Sequence, residues 1–197
     1  MTASAAAPLL AIFVGGKSIR MGMHKGLLLV PGGDEPILEA LVRCGHQAGF
    51  DLVLVGDAAP YEQLARGVMR IEDNPRGAGP LGGLQSALQF ASRADRSHLV
   101  AVACDMPYVT PEALQQVYQH RSTAIVVAPR RGPEAPWEPM LARYEVARLA
   151  PLLARAALRG ERSFQQLFAS IEVDAVPLTP AIERALQDWD SPEDVSR

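Results

Sequence analysis

Residues 8–28 read P-L-L-A-I-F-V-G-G-K-S-I-R-M-G-M-H-K-G-L-L. The apolar run Pro8 to Val14 has the length and continuity of a strand buried on both faces of a parallel sheet. It breaks at Gly15-Gly16, where the missing Cβ lets backbone N–H groups come close to an anion. Lys17, Arg20 and Lys25 follow within a short reach, with Gly22 and Gly26 read as keeping the loop pliable between them. Of the 19 Lys plus Arg in the chain, only Lys17 and Lys25 are lysines. Every other positive charge is arginine, so both compact point charges on flexible stems sit in this one loop. A strand ending in glycines and cations is a phosphate-holding arrangement; the competing reading is a solvated turn.

The bulk numbers narrow the classes. A length of 197 residues suits one domain with a substantial core, and 48% apolar with 21% charged residues is ordinary for a globular protein. A formal charge of −3 offers no global attraction to nucleic acid or to an anionic membrane, so anion binding must be local. Cys44 and Cys104 are too few and too far apart for a disulfide framework or a zinc site, which points to a reducing cytoplasm. The start, M-T-A-S-A-A-A-P, has no basic leader, and the apolar run behind it is too short to span a bilayer. Neither an internal repeat nor a low-complexity tract is present.

Further along, Ile37 to Ala48 has helical spacing, Asp51 to Gly56 and Val68 to Asp73 are short strands, and Tyr61 to Arg66 is expected as a brief helix. Leu81 to Ala94 is a helix opened by Gly79-Pro80. His98 to Ala103 is apolar enough for the centre of a sheet. Thr110-Pro111-Glu112 starts the next helix with an N-cap, a proline and an acid, and Ala124 to Ala128 is a fifth strand. This alternation predicts a doubly wound α/β sheet, in which ligands sit beyond the carboxyl ends of the strands. Gly15, Gly56, Asp73 and Asp105 all fall at such ends. After Arg130 comes a polar, proline-rich loop, a short strand at Met140 to Tyr144, helices at Val146 to Leu158 and Ser163 to Ala169, and an alternating strand at Ile171 to Pro177. Residues 180–197 are expected to be helical around D-W-D-S-P-E-D. Residues 1–129 are read as a nucleotide-binding half, and 130–197 as an acceptor-facing lobe of the same single domain.

Asp105 closes the strand L-V-A-V-A-C and is followed by Met106-Pro107, which turns the chain and leaves the carboxylate at the sheet edge. There it suits Mg²⁺, a hard cation that takes carboxylate and phosphate oxygens; the plain alternative is a turn aspartate. Cys104 reads as buried packing. Asp73 is a candidate for ribose or base, or a turn residue before Asn74-Pro75. Asp188 and Asp190 are candidates for a second metal ligand, with an N-cap as the alternative for Asp190. G-A-G-P-L-G at 77–82 fits G-x-G-x-x-G but does not directly follow a strand, so it reads as a mobile glycine loop at a helix N-terminus. Trp137 is an outside candidate for stacking on a ligand.

The first loop is not a P-loop, because Ala11 stands where the first glycine is required, and not a Rossmann fingerprint, because Lys17 and Ile19 occupy glycine positions. It resembles the L-A-G-G-x-S-x-R-M-G-x-x-K-x-L-L loop of the MobA-like nucleotidyltransferases that make the dinucleotide form of molybdenum cofactor, here F-V-G-G-K-S-I-R-M-G-M-H-K-G-L-L. I-E-D-N-P at 71–75, G-P-L-G-G-L at 79–84, A-C-D-M-P-Y at 103–108, W-E-P-M-L-A-R-Y at 137–144, G-E-R-S-F at 160–164 and D-W-D-S-P-E-D at 188–194 resemble further signatures of the guanylyltransferase branch, in the same order.

The resemblance implies a three-layer α/β/α, mostly parallel, Rossmann-type fold of the nucleotide-diphospho-sugar-transferase kind. It implies transfer of GMP from GTP to the terminal phosphate of molybdopterin, with Mg²⁺ as cofactor and pyrophosphate as leaving group. Phe13, Val14 and Gly15 would line the guanine pocket through their backbone, Gly16 would meet the GTP, Lys17, Arg20 and Lys25 would meet phosphate, and Asp73 would meet the nucleoside. Asp105 would serve nucleotide and metal, and 137–144 would face the pterin. The catalytic set implied is Arg20, Lys25 and Asp105, with Asp105 and Asp190 as metal ligands. Transient contact with other cofactor-biosynthesis proteins and molybdoenzyme chaperones is also implied, and neither nucleic acid nor membrane. The chain departs from the pattern at Phe13-Val14 for Leu-Ala, at His24 for an acid, at Gly56 for an Asn that often meets the nucleotide, and at Asp188 and Asp190 for asparagines. A cytidylyltransferase would tend to read A-A-G for V-G-G and lack G-P-L-G-G-L. Another small-molecule nucleotidyltransferase would share the first loop, and a nucleotide-binding regulator would keep that loop without needing Asp105.

Overall fold

In the computed structural model, residues 7–14, 24–73 and 79–187 are described. The skeleton is a seven-stranded sheet of order β3-β2-β1-β4-β6-β5-β7. Its strands are β1 (Leu9–Phe13), β2 (Asp51–Val55), β3 (Met69–Ile71), β4 (His98–Ala103), β5 (Val126–Ala128), β6 (Ala142–Glu145) and β7 (Val173–Ala175). β1 pairs in parallel with β2 and β4, β2 with β3, and β5 with β7. β6 runs antiparallel to both neighbours, β4 and β5.

Every residue of β1 is buried, because both faces of the sheet are covered. Leu10, Ile12 and Val14 pack with α1 (Ile37–Gln47), α3 (Pro111–Gln119) and α6 (Pro180–Ala185). Leu9, Ala11 and Phe13 point the other way, toward α2 (Pro80–Arg93), α4 (Val146–Leu158) and α5 (Phe164–Phe168). Strand alternation therefore divides the core into two layers around one sheet. The predicted α/β/α class holds.

Local chemistry starts the helices where the sequence places them. The Thr110 hydroxyl accepts from the Ala113 N–H at 3.2 Å, with Pro111 first in the helix. Ser163 and Gln166 form a reciprocal capping box at the head of α5. Two expectations change. The brief helix at Tyr61 to Arg66 is instead a 3₁₀ turn at Ala59–Tyr61 followed by turns to Gly67, whose φ of +80° ends the segment. Helix α6 stops at Ala185, and residues 188–197 lie outside the described part. Among the described residues no helix is long and apolar enough to cross a membrane.

Candidate active site

The first four strands order as 3-2-1-4, with α1 on one face and α2 on the other. The winding direction reverses between β1 and β4, and a doubly wound sheet opens its ligand crevice at that point. Register sets what lies there. Phe13 is level with Val55 and Ala103, and Val55 with Ile71. One residue further on, the Val14 N–H donates to Val55 O at 2.9 Å and the Cys104 N–H to Phe13 O at 3.0 Å. Val14, Gly56, Asp73 and Asp105 thus share the carboxyl edge of the sheet. Gly56 has φ +108°, a conformation that favours glycine, and its N–H donates to Ile71 O.

Two side-chain groups flank the end of β1, one on each face. On the α1 face, Lys25 opens the 3₁₀ turn Lys25–Leu27 and its Nζ donates to Asp105 Oδ2 at 2.9 Å. The side chains are 16% and 23% exposed, so the pair is sheltered yet open to a ligand. Gly26 behind it is buried: a Cβ there would lie 2.9 Å from Tyr61 Cε1 and 3.3 Å from Leu38 Cβ. The expectation of a pliable Gly26 is therefore corrected; this glycine permits close packing. Cys104 is a buried free thiol whose pKa burial pushes up to about 11, so it stays protonated and is packing rather than a nucleophile.

On the α2 face, Phe13 and Asp73 meet the first turns of α2. A Cβ on Gly83 would lie 2.9 Å from Phe13 Cε1 and 3.1 Å from Asp73 Oδ1. Burial raises the Asp73 pKa above its usual value. Gly79, with φ +71°, turns the chain into α2, and Pro80 takes the first helical position. The G-P-L-G-G-L motif thus brings a helix N-terminus and a glycine surface against Asp73.

The antiparallel course of β6 brings the loop 129–141 to this same edge. Its Trp137 is clamped to α5: Trp137 N–H donates to Gln165 Oε1 at 3.1 Å, and Gln165 Nε2 donates back to Trp137 O at 2.7 Å. The Arg130 guanidinium stacks over the indole, 4.4 Å from its centroid. Leu141, where the loop enters β6, is fully buried with φ +106°, a strained backbone for a branched residue.

The structure thus joins Lys25 to Asp105, sets Phe13 against the surface that holds Asp73, and puts Val14 and Gly56 level between them. Gly15, Gly16, Lys17, Arg20, Asp188 and Asp190 lie outside the described residues, as do positions 74–78 of the second loop. For a divalent ion, Asp105 offers a hard carboxylate oxygen. Among the described residues no group of three His, Cys, Asp or Glu side chains is placed to hold a metal. Sequence reasoning did not single out Tyr61, Gly83 or Gln165. The G-P-L-G-G-L motif pointed at the second, while the other two announce themselves only through tertiary contact.

Residues 10–176 match the model of the MobA-like NTP transferase domain. The chain belongs to this family. A protein of Opitutus terrae named "Probable molybdenum cofactor guanylyltransferase" is 31% identical over 100% of this chain and 97% of its own length. The molybdenum cofactor guanylyltransferase of Xanthomonas euvesicatoria pv. vesicatoria is 31% identical over 94% of this chain and 91% of its own. Among solved structures, molybdopterin-guanine dinucleotide biosynthesis protein A from Archaeoglobus fulgidus superposes with a TM-score of 0.74 at 25% identity, covering 95% of each chain. A MobA-like enzyme is a nucleotidyltransferase, and the crevice between β1 and β4 is where such a fold holds its nucleotide.

Proposed function

We propose that the protein transfers GMP from GTP to the terminal phosphate of molybdopterin. The observation that carries this is the Lys25–Asp105 pair at the switch point of a MobA-like sheet. The pterin phosphate oxygen bonds to the α-phosphorus in line, the bond from that phosphorus to the β-phosphate oxygen breaks, and pyrophosphate leaves with the electron pair. Nothing needs to become covalently attached to the protein.

The residues divide the work by place. Phe13, Val14 and Gly15 line the guanine, with Gly16 also on the GTP and Gly56 at the same sheet edge. Asp73 meets the nucleoside beneath α2. Lys25, with Lys17 and Arg20 of the same loop, meets the phosphates and offsets charge as it moves to pyrophosphate. Asp105 would hold Mg²⁺, with Asp190 as a second ligand, and the ion would supply further charge neutralisation at the phosphates. Residues 130–197 form the acceptor-facing lobe, and 137–144 face the pterin. The V-G-G and G-P-L-G-G-L motifs, together with the relatives' names, favour guanine over cytosine. The setting is cytoplasmic, with transient hand-over to other cofactor-biosynthesis proteins and chaperones.

The test is thermal shift with each NTP and Mg²⁺, on wild type, Lys25→Ala and Asp105→Ala. A ligand at about a hundred times its Kd stabilises by roughly 2.7 kcal/mol, which is measurable. Stabilisation by GTP, lost in both variants, is expected. A preference for CTP would move the assignment to the cytidylyl branch, and no response to any nucleotide would overturn it.

A further inference from the structure

We propose that Tyr61 is a positioning residue for the Lys25–Asp105 pair, its buried ring and hydroxyl bracing the chain on both sides of that pair before substrate arrives. This rests on the reading of the pair as the phosphate and metal site.

Tyr61 is 2% exposed and closes the 3₁₀ turn Ala59–Tyr61. The residues flanking Lys25 both touch it. Gly26 lies flat on the ring, so near that a Cβ would come 2.9 Å from Cε1 and 3.3 Å from Cζ. His24 sets its imidazole edge-on, with ring centroids 5.8 Å apart at 74°. The residue before Asp105 touches it too: the Tyr61 hydroxyl is 4.0 Å from Cys104 Sγ. One aromatic side chain therefore ties the turn carrying the lysine to the strand end carrying the aspartate.

Phenylalanine would fill the same space, so the hydroxyl needs a reason. A buried hydroxyl left without a partner is costly. Here its partner is the thiol beside Asp105. Lysine is a long, rotamer-rich side chain, and its stem is only as well aimed as its backbone. A displacement of about 1 Å in a catalytic group can cost about 10²-fold in rate.

The experiment is a double-mutant cycle with Tyr61→Phe, Lys25→Ala and the combination, read as steady-state kinetics with GTP and the pterin acceptor. Because Tyr61 acts through Lys25, Tyr61→Phe should lower kcat about tenfold with a smaller change in KM, and the double variant should be no slower than Lys25→Ala alone. Multiplying effects, or unchanged kinetics in Tyr61→Phe, would overturn the proposal. A second readout needs no turnover. With only two lysines in the chain, ¹³Cε-lysine labelling gives two NMR signals, and Lys25→Ala assigns one of them. Tyr61→Phe should move the Lys25 signal toward that of unrestrained lysine and leave Lys17 in place; an unmoved Lys25 signal overturns the brace. Cys104→Ala, which removes the hydroxyl's thiol partner and keeps the ring, is the second variant if Tyr61→Phe folds poorly, with the same Lys25 shift expected. A wild type that makes no dinucleotide from GTP, combined with a Lys25 signal that does move, would sink the functional reading and leave the brace standing.

Discussion

Gly83 shows how much one missing methyl group decides. Its Cα faces the Phe13 ring and the Asp73 carboxylate at distances where a Cβ cannot fit without displacing one of them. Gly83→Ala should cost about 1–3 kcal/mol through overpacking and raise the KM for nucleotide, because the displaced groups are the ones assigned to base and nucleoside. Thermal melts and a KM measurement check both parts; a variant with wild-type KM would separate this surface from the nucleotide. Asp73 makes a second prediction. Burial holds its folded pKa above the ordinary 3.8, so its stabilising contribution is present below that value and lost as pH rises through the folded pKa. At pH 7 the ionised group opposes folding. Asp73→Asn should therefore raise the Tm of the nucleotide-free protein at pH 7, lose that gain near pH 3.5, and weaken nucleotide binding. A lower Tm at pH 7 would refute the burial argument. Much of this site was legible beforehand: strand ends, turn residues and the odd concentration of lysine are local signals. Tyr61 was not, since nothing within a few residues of it marks a ring that will lie beneath Gly26.

Among the elements, α3 depends on a strand far along the chain. A helix leaves its last carbonyls without partners, and here Arg143 of β6 supplies them, donating from one guanidinium nitrogen to Tyr118 O and His120 O at 2.7 Å each. The side chain is only 8% exposed, and burial lowers its pKa, although an arginine remains charged. Arg143→Met should cost about 2–4 kcal/mol, because two carbonyls at the helix end lose their donor. Urea unfolding checks it, and a loss under 1 kcal/mol would mean that water replaces the guanidinium. Helices α1, α2, α3 and α4 could be read from apolar period and caps, since those signals are local. The direction of β6 could not. Apolar alternation marks a strand but is the same whichever way its neighbour runs, and the 3₁₀ turn at Ala59–Tyr61 is shorter than any period can register.

For the molecule as a whole, β6 joins the two halves by backbone pairing. Itself in the C-terminal part of the chain, it bonds to β4 on one side and to β5 on the other, both from the N-terminal part, while both core layers run past it. The protein should therefore unfold by heat or urea in one transition, with fluorescence of its two tryptophans and far-ultraviolet dichroism coinciding. Two resolved transitions would make the acceptor-facing lobe an independent unit. The same strand also fixes an order of events during synthesis. When residue 129 has left the ribosome, β1 to β4 can already pair, and the frame for Lys25, Asp73 and Asp105 exists. Yet β4, apolar and buried through residues 99–102, still has a bare edge, and β5 has no neighbour to join. Until β6 emerges and slides between them, the newborn chain carries an unprotected parallel edge of the kind that recruits other chains. The interval over which a chaperone would be of use is thus written into the position of residues 142–145.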